Sequence, residues 1–95
     1  MQFEFSNQVF EWRGPSPFYF VALSEEVSAA LKELSPALTF GWGMIPGAGR
    51  IGQTEFTTAL FPKDGAYLIP LRKSLRKAEN IQLGEWISGT LIVGL

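Results

Sequence analysis

The first twelve residues alternate between apolar and polar side chains in the pattern of a β-strand, with one interruption. Phe3 and Phe5 share their parity with Val9, whereas Phe10 and Trp12 have the other parity. Because successive strand residues point to opposite faces, this change moves the apolar side chains to the other face. We therefore expect a strand with a bulge or bend near Val9.

Further strands are indicated by β-branched and aromatic runs that lie between turn residues. The run from Phe18 to Leu23 is apolar on both faces, as in a strand covered on both sides. A hairpin turn is expected near Gly52-Gln53, and Pro62-Lys63-Asp64-Gly65 predicts a second tight turn. Residues 43–49 are predicted to form a loop. The predicted strand segments are 2–12, 18–23, 39–42, 50–61, 66–69 and 86–93.

An amphipathic helix is predicted at about residues 25–34. It follows the N-cap residue Ser24, is expected to end before Pro36, and has apolar residues at helical spacing, namely Val27, Ala30, Leu31 and Leu34. Hydrophobic residues make up 46% of the chain and aromatic residues 14%, which is enough to build one core without a metal or a disulfide. The predicted fold is mainly β with two short helices, as a single domain spanning residues 1–95.

The second predicted helix, about residues 71–79, carries the densest positive charge of the chain. Its expected buried face is Leu71, Leu75 and Ala78, between Pro70 and Asn80. The opposite side carries Arg72, Lys73, Arg76 and Lys77. This side is either a solvated face or an anion-binding surface, which Lys63 and Arg50 could extend. The loop with Trp42 is a second expected contact element.

The chain contains neither cysteine nor histidine. Their absence excludes disulfides, thiolate nucleophiles, imidazole bases and the usual zinc, haem and iron–sulfur ligands. We therefore predict no metal, no cofactor and no enzymatic activity. The formal net charge of −1 argues against a surface built for nucleic acid. No segment is typical of a signal peptide or of a membrane span, so the sequence predicts a cytoplasmic location and no membrane partner.

Two short motifs match nucleotide-binding or catalytic patterns, but their context favours structural roles. Gly47-Ala48-Gly49-Arg50-Ile51-Gly52 fits G-x-G-x-x-G, yet the residues after it predict a strand and not the helix that a dinucleotide site needs. Ser74-Leu75-Arg76-Lys77 fits S-x-x-K without the accompanying motifs of that enzyme class. We interpret the glycines as a structural loop and Ser74 as a solvated hydroxyl.

An ordered series of short motifs runs along nearly the whole chain. Its members are Phe5, Glu11-Trp12, Gly14-Pro15, Phe20-Val21, Gly41-Trp42-Gly43, Thr58 to Phe61, Pro62-Lys63-Asp64-Gly65, Leu68-Ile69-Pro70 and Arg76-Lys77-Ala78-Glu79 to Gly84. In this order and spacing the motifs resemble the bacterial domain-of-unknown-function family DUF1905. The resemblance implies that family's fold, a double-split β-barrel: mixed strands form a buckled pseudobarrel on which short helices pack.

The implied fold is shared with swapped-hairpin transcription regulators and antitoxins of the AbrB type. Pro70, Arg76 and Leu83-Gly84-Glu85 are similar to the Pro, Arg and Gly-Asp stretch of those proteins, with Glu85 in place of Asp. In that motif the glycine and the acid shape a turn, so the resemblance implies structural roles for Gly84 and Glu85. Kinship of fold is the argument for DNA binding, and it is an argument by analogy.

These observations lead to three hypotheses. The first is a non-enzymatic binding or interaction domain that contacts a protein or a small anionic ligand through Trp42, Arg50, Lys63, Arg72, Lys73, Arg76 and Lys77. The second is a DNA-binding regulator or antitoxin-like dimer, and both a monomer and a homodimer stay open. The third is a small hydrolase that uses carboxylates such as Glu4, Glu11 and Glu55. A cleft with two carboxylates, or with one beside Arg50, Lys63 or Lys73, would favour the enzyme.

Overall fold

A computed structural model describes residues 1–12, 18–39 and 43–94. Within these residues the chain forms seven strands and two helices. They are β1 (Gln2–Gln8), β2 (Phe10–Trp12), β3 (Phe18–Ala22), α1 (Glu25–Leu38), β4 (Ile45–Ile51), β5 (Thr54–Lys63), β6 (Ala66–Leu71), α2 (Lys73–Ala78) and β7 (Trp86–Val93). The predicted mainly β class with two helices is confirmed. Trp42, the rest of the predicted strand at 40–42 and the segment 13–17 lie outside the described residues.

The described strands form one curled sheet in the order β1-β7-β4-β5-β6-β3-β2. Its two edge strands are consecutive in sequence and are separated by Val9 alone, which confirms the bend expected there. Val9 donates a hydrogen bond from its N–H to the carbonyl of Glu85 (2.9 Å) and accepts one from the N–H of Gly84 (2.9 Å). Asn7 Nδ2 donates to the carbonyl of Ala22 on β3 (3.1 Å). The N-terminal segment, through β1 and β2, therefore supplies both edges of a half-barrel.

Every pairing between described strands is antiparallel. The mixed arrangement implied by the resemblance is therefore not found among these residues. For two of these pairings the length of the connection requires it, because two-residue turns join β4 to β5 and β5 to β6, whereas parallel strands need a crossover of roughly a dozen residues or more.

The inside of the half-barrel is filled by aliphatic side chains from every side of the sheet. Ile45, Leu60, Ile69 and Leu91 are fully excluded from solvent, and α1 adds Leu31 to the same core. The Ser28 side chain is also buried, and its Oγ accepts a hydrogen bond from the N–H of Tyr67 on β6 (3.1 Å). This hydrogen bond fixes the helix to the sheet, and both of its partners are shielded from solvent.

Helix α1 continues to Leu38, four residues beyond its predicted end and through Pro36. Proline removes the N–H that would bond to the carbonyl of Lys32. The hydroxyl of Ser35 donates to that carbonyl instead (2.7 Å), and the N–H of Thr39 donates to the carbonyl of Ser35 (2.8 Å). The expected stop at Pro36 was therefore wrong, because a neighbouring side chain compensates for the missing donor.

Helix α2 begins at Lys73, two residues later than predicted. Leu71 is buried, but as a strand residue paired with Tyr19 on β3, and Ala78 is exposed. Leu75 is the predicted face residue that is buried within the helix, which ends at Ala78 before Asn80 adopts a positive φ of 52°. Neither helix of the described residues is long and apolar enough to cross a membrane.

The segment 45–49 was predicted as a loop and is a strand. Gly47 and Gly49 belong to β4, and the predicted turn at Gly52-Gln53 is confirmed. A Cβ atom on Gly49 would lie 2.6 Å from a ring carbon of Phe56 and 2.9 Å from the carbonyl oxygen of Thr90. The glycine pattern therefore reflects close packing inside the sheet, which supports a structural origin for the G-x-G-x-x-G match.

Replacing Ser28 by alanine should lower the free energy of unfolding by about 1–3 kcal/mol, because the N–H of Tyr67 would be buried without a partner. Urea unfolding measures the change. Ser6→Ala, at an exposed position of β1, is the matched control and should stay within about 0.5 kcal/mol of the native chain. Equal stabilities of the two variants would contradict the role given to Ser28.

Candidate functional site

The strands β5 and β6 separate beyond the pair of Phe61 and Leu68, and a single residue causes this separation. The two-residue turn at 64–65 makes Lys63 and Ala66 a hydrogen-bonded pair, and bonded pairs then recur at every second residue. Phe61 pairs with Leu68 in this way, so the next bonded partners would be Ala59 and Pro70. Because proline has no N–H, the ladder loses a bond at that point and the two strands separate.

A cleft of about 780 Å³ opens at this split. One side is formed by the N-terminal half of β5 together with the outer faces of β4 and β7, and the other side by the end of β6 and the start of α2. The cleft is within the size range of roughly 300–1,000 Å³ that is usual for ligand sites. Its lining residues are Ala48, Gly49, Arg50, Glu55, Phe56, Thr57, Pro70, Arg72, Ser74, Leu75, Thr90 and Ile92.

Two of the predicted site residues, Arg50 and Arg72, line this cleft from different elements. Arg50 is held by the β4–β5 turn: its Nε donates to the carbonyl of Gly52 (3.3 Å) and its Nη2 to Oε1 of Gln53 (3.4 Å). Arg72 precedes α2 at the N-cap position and is exposed. Among the described residues its guanidinium has neither a hydrogen-bond nor an ion-pair partner, so its donors are available to a ligand.

Glu55 brings one carboxylate to the same cleft. It is the cross-strand partner of Arg50 in the β4–β5 hairpin. The lining therefore has two positive groups and one negative group, with the hydroxyl of Ser74 nearby. A carboxylate beside Arg50 is one of the arrangements that were expected to favour an enzyme. Within the described residues no three acidic side chains come together as a metal site would require.

Arg76 has a structural position and does not line the cleft. Its Nε donates to the carbonyl of Leu71 (3.1 Å), and its guanidinium carbon lies 4.2 Å from the ring centroid of Tyr19. The side chain thus fastens α2 to the end of β6 and to β3. Lys73 and Lys77 are exposed on α2 and are not part of the cleft lining.

Lys63 lies at the far end of β5 and cannot share a small ligand with Arg50. Glu55, the partner of Arg50, is eight residues from Lys63, a path of roughly 26 Å along the strand at about 3.3 Å per residue. Lys63 Nζ instead lies 4.4 Å from the ring centroid of Trp12. It borders an aromatic surface whose rings have centroids 6.0–6.5 Å apart and belong to Phe10, Trp12, Phe18, Phe20 and Phe61.

The wall that β5 and β6 give to the cleft was not predicted from the sequence. Thr57 and Phe56 carry no chemical signal, and Glu55 was considered only as one carboxylate among several. Pro70 could have indicated this wall, because alternation of bonded pairs from the turn at 64–65 places this proline at a bonded position of the β5–β6 hairpin. The separation of the two strands could have been inferred from that register.

Replacing Arg76 by alanine should lower the free energy of unfolding by about 1–2 kcal/mol, through loss of the contact with Tyr19 and of the hydrogen bond to Leu71. Lys77→Ala, one residue further on the exposed side of α2, removes the same charge and should change stability by less than about 0.5 kcal/mol. Thermal and urea unfolding of both variants check this difference. A stability loss for Lys77→Ala as large as for Arg76→Ala would refute the structural role.

Comparison with known proteins connects this architecture to one family. The family model described as Domain of unknown function (DUF1905) matches residues 5–91, which include all lining residues of the cleft except Ile92. None of the curated proteins compared with the chain matches it significantly. The kinship with AbrB-type regulators is not part of this match and stays a prediction. Because the match extends over nearly the whole chain and confirms the resemblance seen in its motifs, the chain belongs to the DUF1905 family.

Proposed function

We propose that the chain is a non-enzymatic binding domain that holds an anionic group of its partner in the cleft between Arg50 and Arg72. The observation that carries the proposal is that these two arginines, one on β4 and one at the start of α2, line the same opening of about 780 Å³. An anion between them would be contacted from both sides. The proposal includes the cytoplasmic location predicted from the sequence.

The donors of the two arginines suit a planar or tetrahedral anion. A guanidinium carries five N–H groups in a fixed fork, which matches a carboxylate or a phosphate. Arg50 uses Nε and Nη2 for contacts within its own hairpin, which leaves its other N–H groups free and limits the rotation of the side chain. Such prior ordering reduces the entropy that would otherwise be lost on binding.

The remaining predicted residues take different parts in this proposal. Lys73 and Lys77, exposed on α2, add to the positive potential around the cleft and would attract an anionic partner without contacting it directly. Arg76 positions α2, and Lys63 belongs to a separate region of the surface. Contact through the Trp42 loop stays a prediction.

Amide and arginine side-chain NMR spectra, recorded during titrations with acetate and with inorganic phosphate, test the proposal. We expect signals of Arg50, Arg72 and their neighbours to shift. Arg50→Gln and Arg72→Gln should each weaken binding about tenfold, as expected for loss of a charge-assisted hydrogen bond. Lys63→Gln removes the same charge at the other end of β5 and is the control, with affinity expected to change less than about twofold.

Three results would contradict the proposal. The first is shifts that spread over the whole surface without a centre at the cleft. The second is an equal loss of affinity in Lys63→Gln and Arg72→Gln. The third is tight binding of random double-stranded DNA with a steep dependence on salt, which would favour the DNA-binding alternative.

Glu55 beside Arg50 supports a second candidate, a small hydrolase in which this carboxylate acts as a general base. Such an enzyme should hydrolyse members of a panel of phosphate esters, carboxylic esters and peptides. Glu55→Gln should then abolish the activity while leaving the unfolding midpoint unchanged. No turnover with the native chain, or equal turnover with Glu55→Gln, would exclude this role for Glu55.

A further inference from the structure

The N-terminal half of β5 has main-chain hydrogen-bonding groups that face the cleft. The two-residue turn at 52–53 makes Ile51 and Thr54 a bonded pair, so bonded and non-bonded pairs alternate from there along the β4–β5 hairpin. Glu55 and Thr57 fall on the non-bonded positions opposite Arg50 and Ala48. Their N–H and C=O groups therefore point away from β4, towards the side on which the cleft opens.

No described strand occupies that side of β5 between residues 54 and 60. Continuing the β5–β6 register past Pro70 would place Arg72 opposite Thr57 and Ser74 opposite Glu55. Both of these residues line the far side of the cleft, but from Lys73 onwards the chain turns into α2 and does not extend the sheet. The cleft thus occupies the place where β6 would have continued.

We propose that an extended peptide with an acidic residue binds in this cleft by adding a strand to β5 at Glu55 and Thr57. The inference rests on the proposed function and names its partner class, a protein segment in extended conformation. The main chain of the peptide would bond to the free N–H and C=O groups of the two residues. This is the mode of recognition in which a sheet edge supplies affinity and the surrounding side chains supply specificity.

Charge complementarity selects the position of the acidic residue. Thr57 lies beside Ala48 on β4, and the continued β5–β6 register places Arg72 on its other side, so a carboxylate opposite Thr57 would meet a guanidinium and would have no negative charge directly opposite it. A carboxylate opposite Glu55 would be disfavoured, because like charges directly opposite in a sheet repel. We expect an acidic residue at the first position and an uncharged or basic residue two positions away.

The test begins with selection of peptides from a displayed random library against the full chain. The enriched peptide is then synthesised and its affinity is measured by fluorescence anisotropy. Thr57→Pro removes the outward N–H, and because that group makes no bond to β4 the hairpin should keep its ladder. This variant should lose affinity about tenfold or more, whereas the matched control Thr57→Ala keeps the N–H and should remain within about threefold of the native chain.

A second measurement uses only the native chain and so does not depend on the folding of a variant. Methyl groups are placed on single amide nitrogens of the selected peptide. In a peptide that adds as a strand, every second amide bonds to β5. Methylation within that set should abolish binding, whereas methylation of the amides between them should not. Replacement of its acidic residue by the corresponding amide should weaken binding to the native chain and have little further effect in Arg72→Gln.

The outcomes separate this inference from the proposed function. Failure to enrich any peptide, equal sensitivity to both methylation sets, or full binding to a folded Thr57→Pro variant would each overturn strand addition. If acetate and phosphate still bind at Arg50 and Arg72 in that case, the anion-binding proposal stands without it. A concentration-dependent dimer whose formation Thr57→Pro abolishes would assign the edge to a second copy of the chain and would also overturn the peptide proposal.

Discussion

The missing N–H of Pro70 is the constraint on which the shape of the candidate site depends. In an antiparallel hairpin each pair of bonded residues exchanges two hydrogen bonds, and proline can supply only one half of that exchange. Beyond Pro70, β6 keeps its bonds to β3 and loses those to β5. The chain then turns into α2, and the helix forms the far wall of an opening in the sheet. A single covalent feature thus leads to a split, a cleft and an accessible strand edge.

The two outer edges of the half-barrel are formed in a different way. An open sheet has two edges, and exposed edges are prone to pair with other chains. Here both edges come from one N-terminal segment, β1 and β2, which changes direction at Val9 and is held there by the backbone of Gly84 and Glu85. The second of these edge strands has only three residues. The stretch of β5 inside the cleft is a further strand edge in the described part of the sheet, and it lies away from the two outer edges.

Much of the fold followed from local patterns in the sequence. The strand at Trp86–Val93, the turn at Gly52-Gln53 and the bend at Val9 were all predicted, because alternation and turn chemistry act over a few neighbouring residues. The predictions were wrong where another part of the chain supplied the deciding contact. Ser35 carries α1 past Pro36, and Phe56 packs on a glycine strand that looked like a loop.

The candidate site was less accessible to sequence reasoning than the fold. Four basic residues at helical spacing suggested one charged face, but the fold gives them separate tasks. Arg72 lines the cleft, Arg76 packs on Tyr19, and Lys73 and Lys77 face solvent. The partner of Arg72 at the cleft is Arg50, and their meeting depends on where β5 leaves β6. The spacing of charges along a helix does not show where β5 and β6 separate, because the register of the β5–β6 hairpin determines that point.

The pairing of β1 with β7 also determines when the molecule can fold. Gln2 lies beside Ile92, and the amino group of Met1 donates to the carbonyl of Val93 (2.8 Å), so residues about 90 positions apart in sequence are direct neighbours. Contacts between residues so far apart in sequence close a large loop, and proteins rich in them fold slowly. During synthesis on the ribosome, β1 must wait without its partner until β7 has left the exit tunnel. The hairpins of β4, β5 and β6 can form before then, whereas the apolar face of β1 stays uncovered and open to aggregation until β7 arrives.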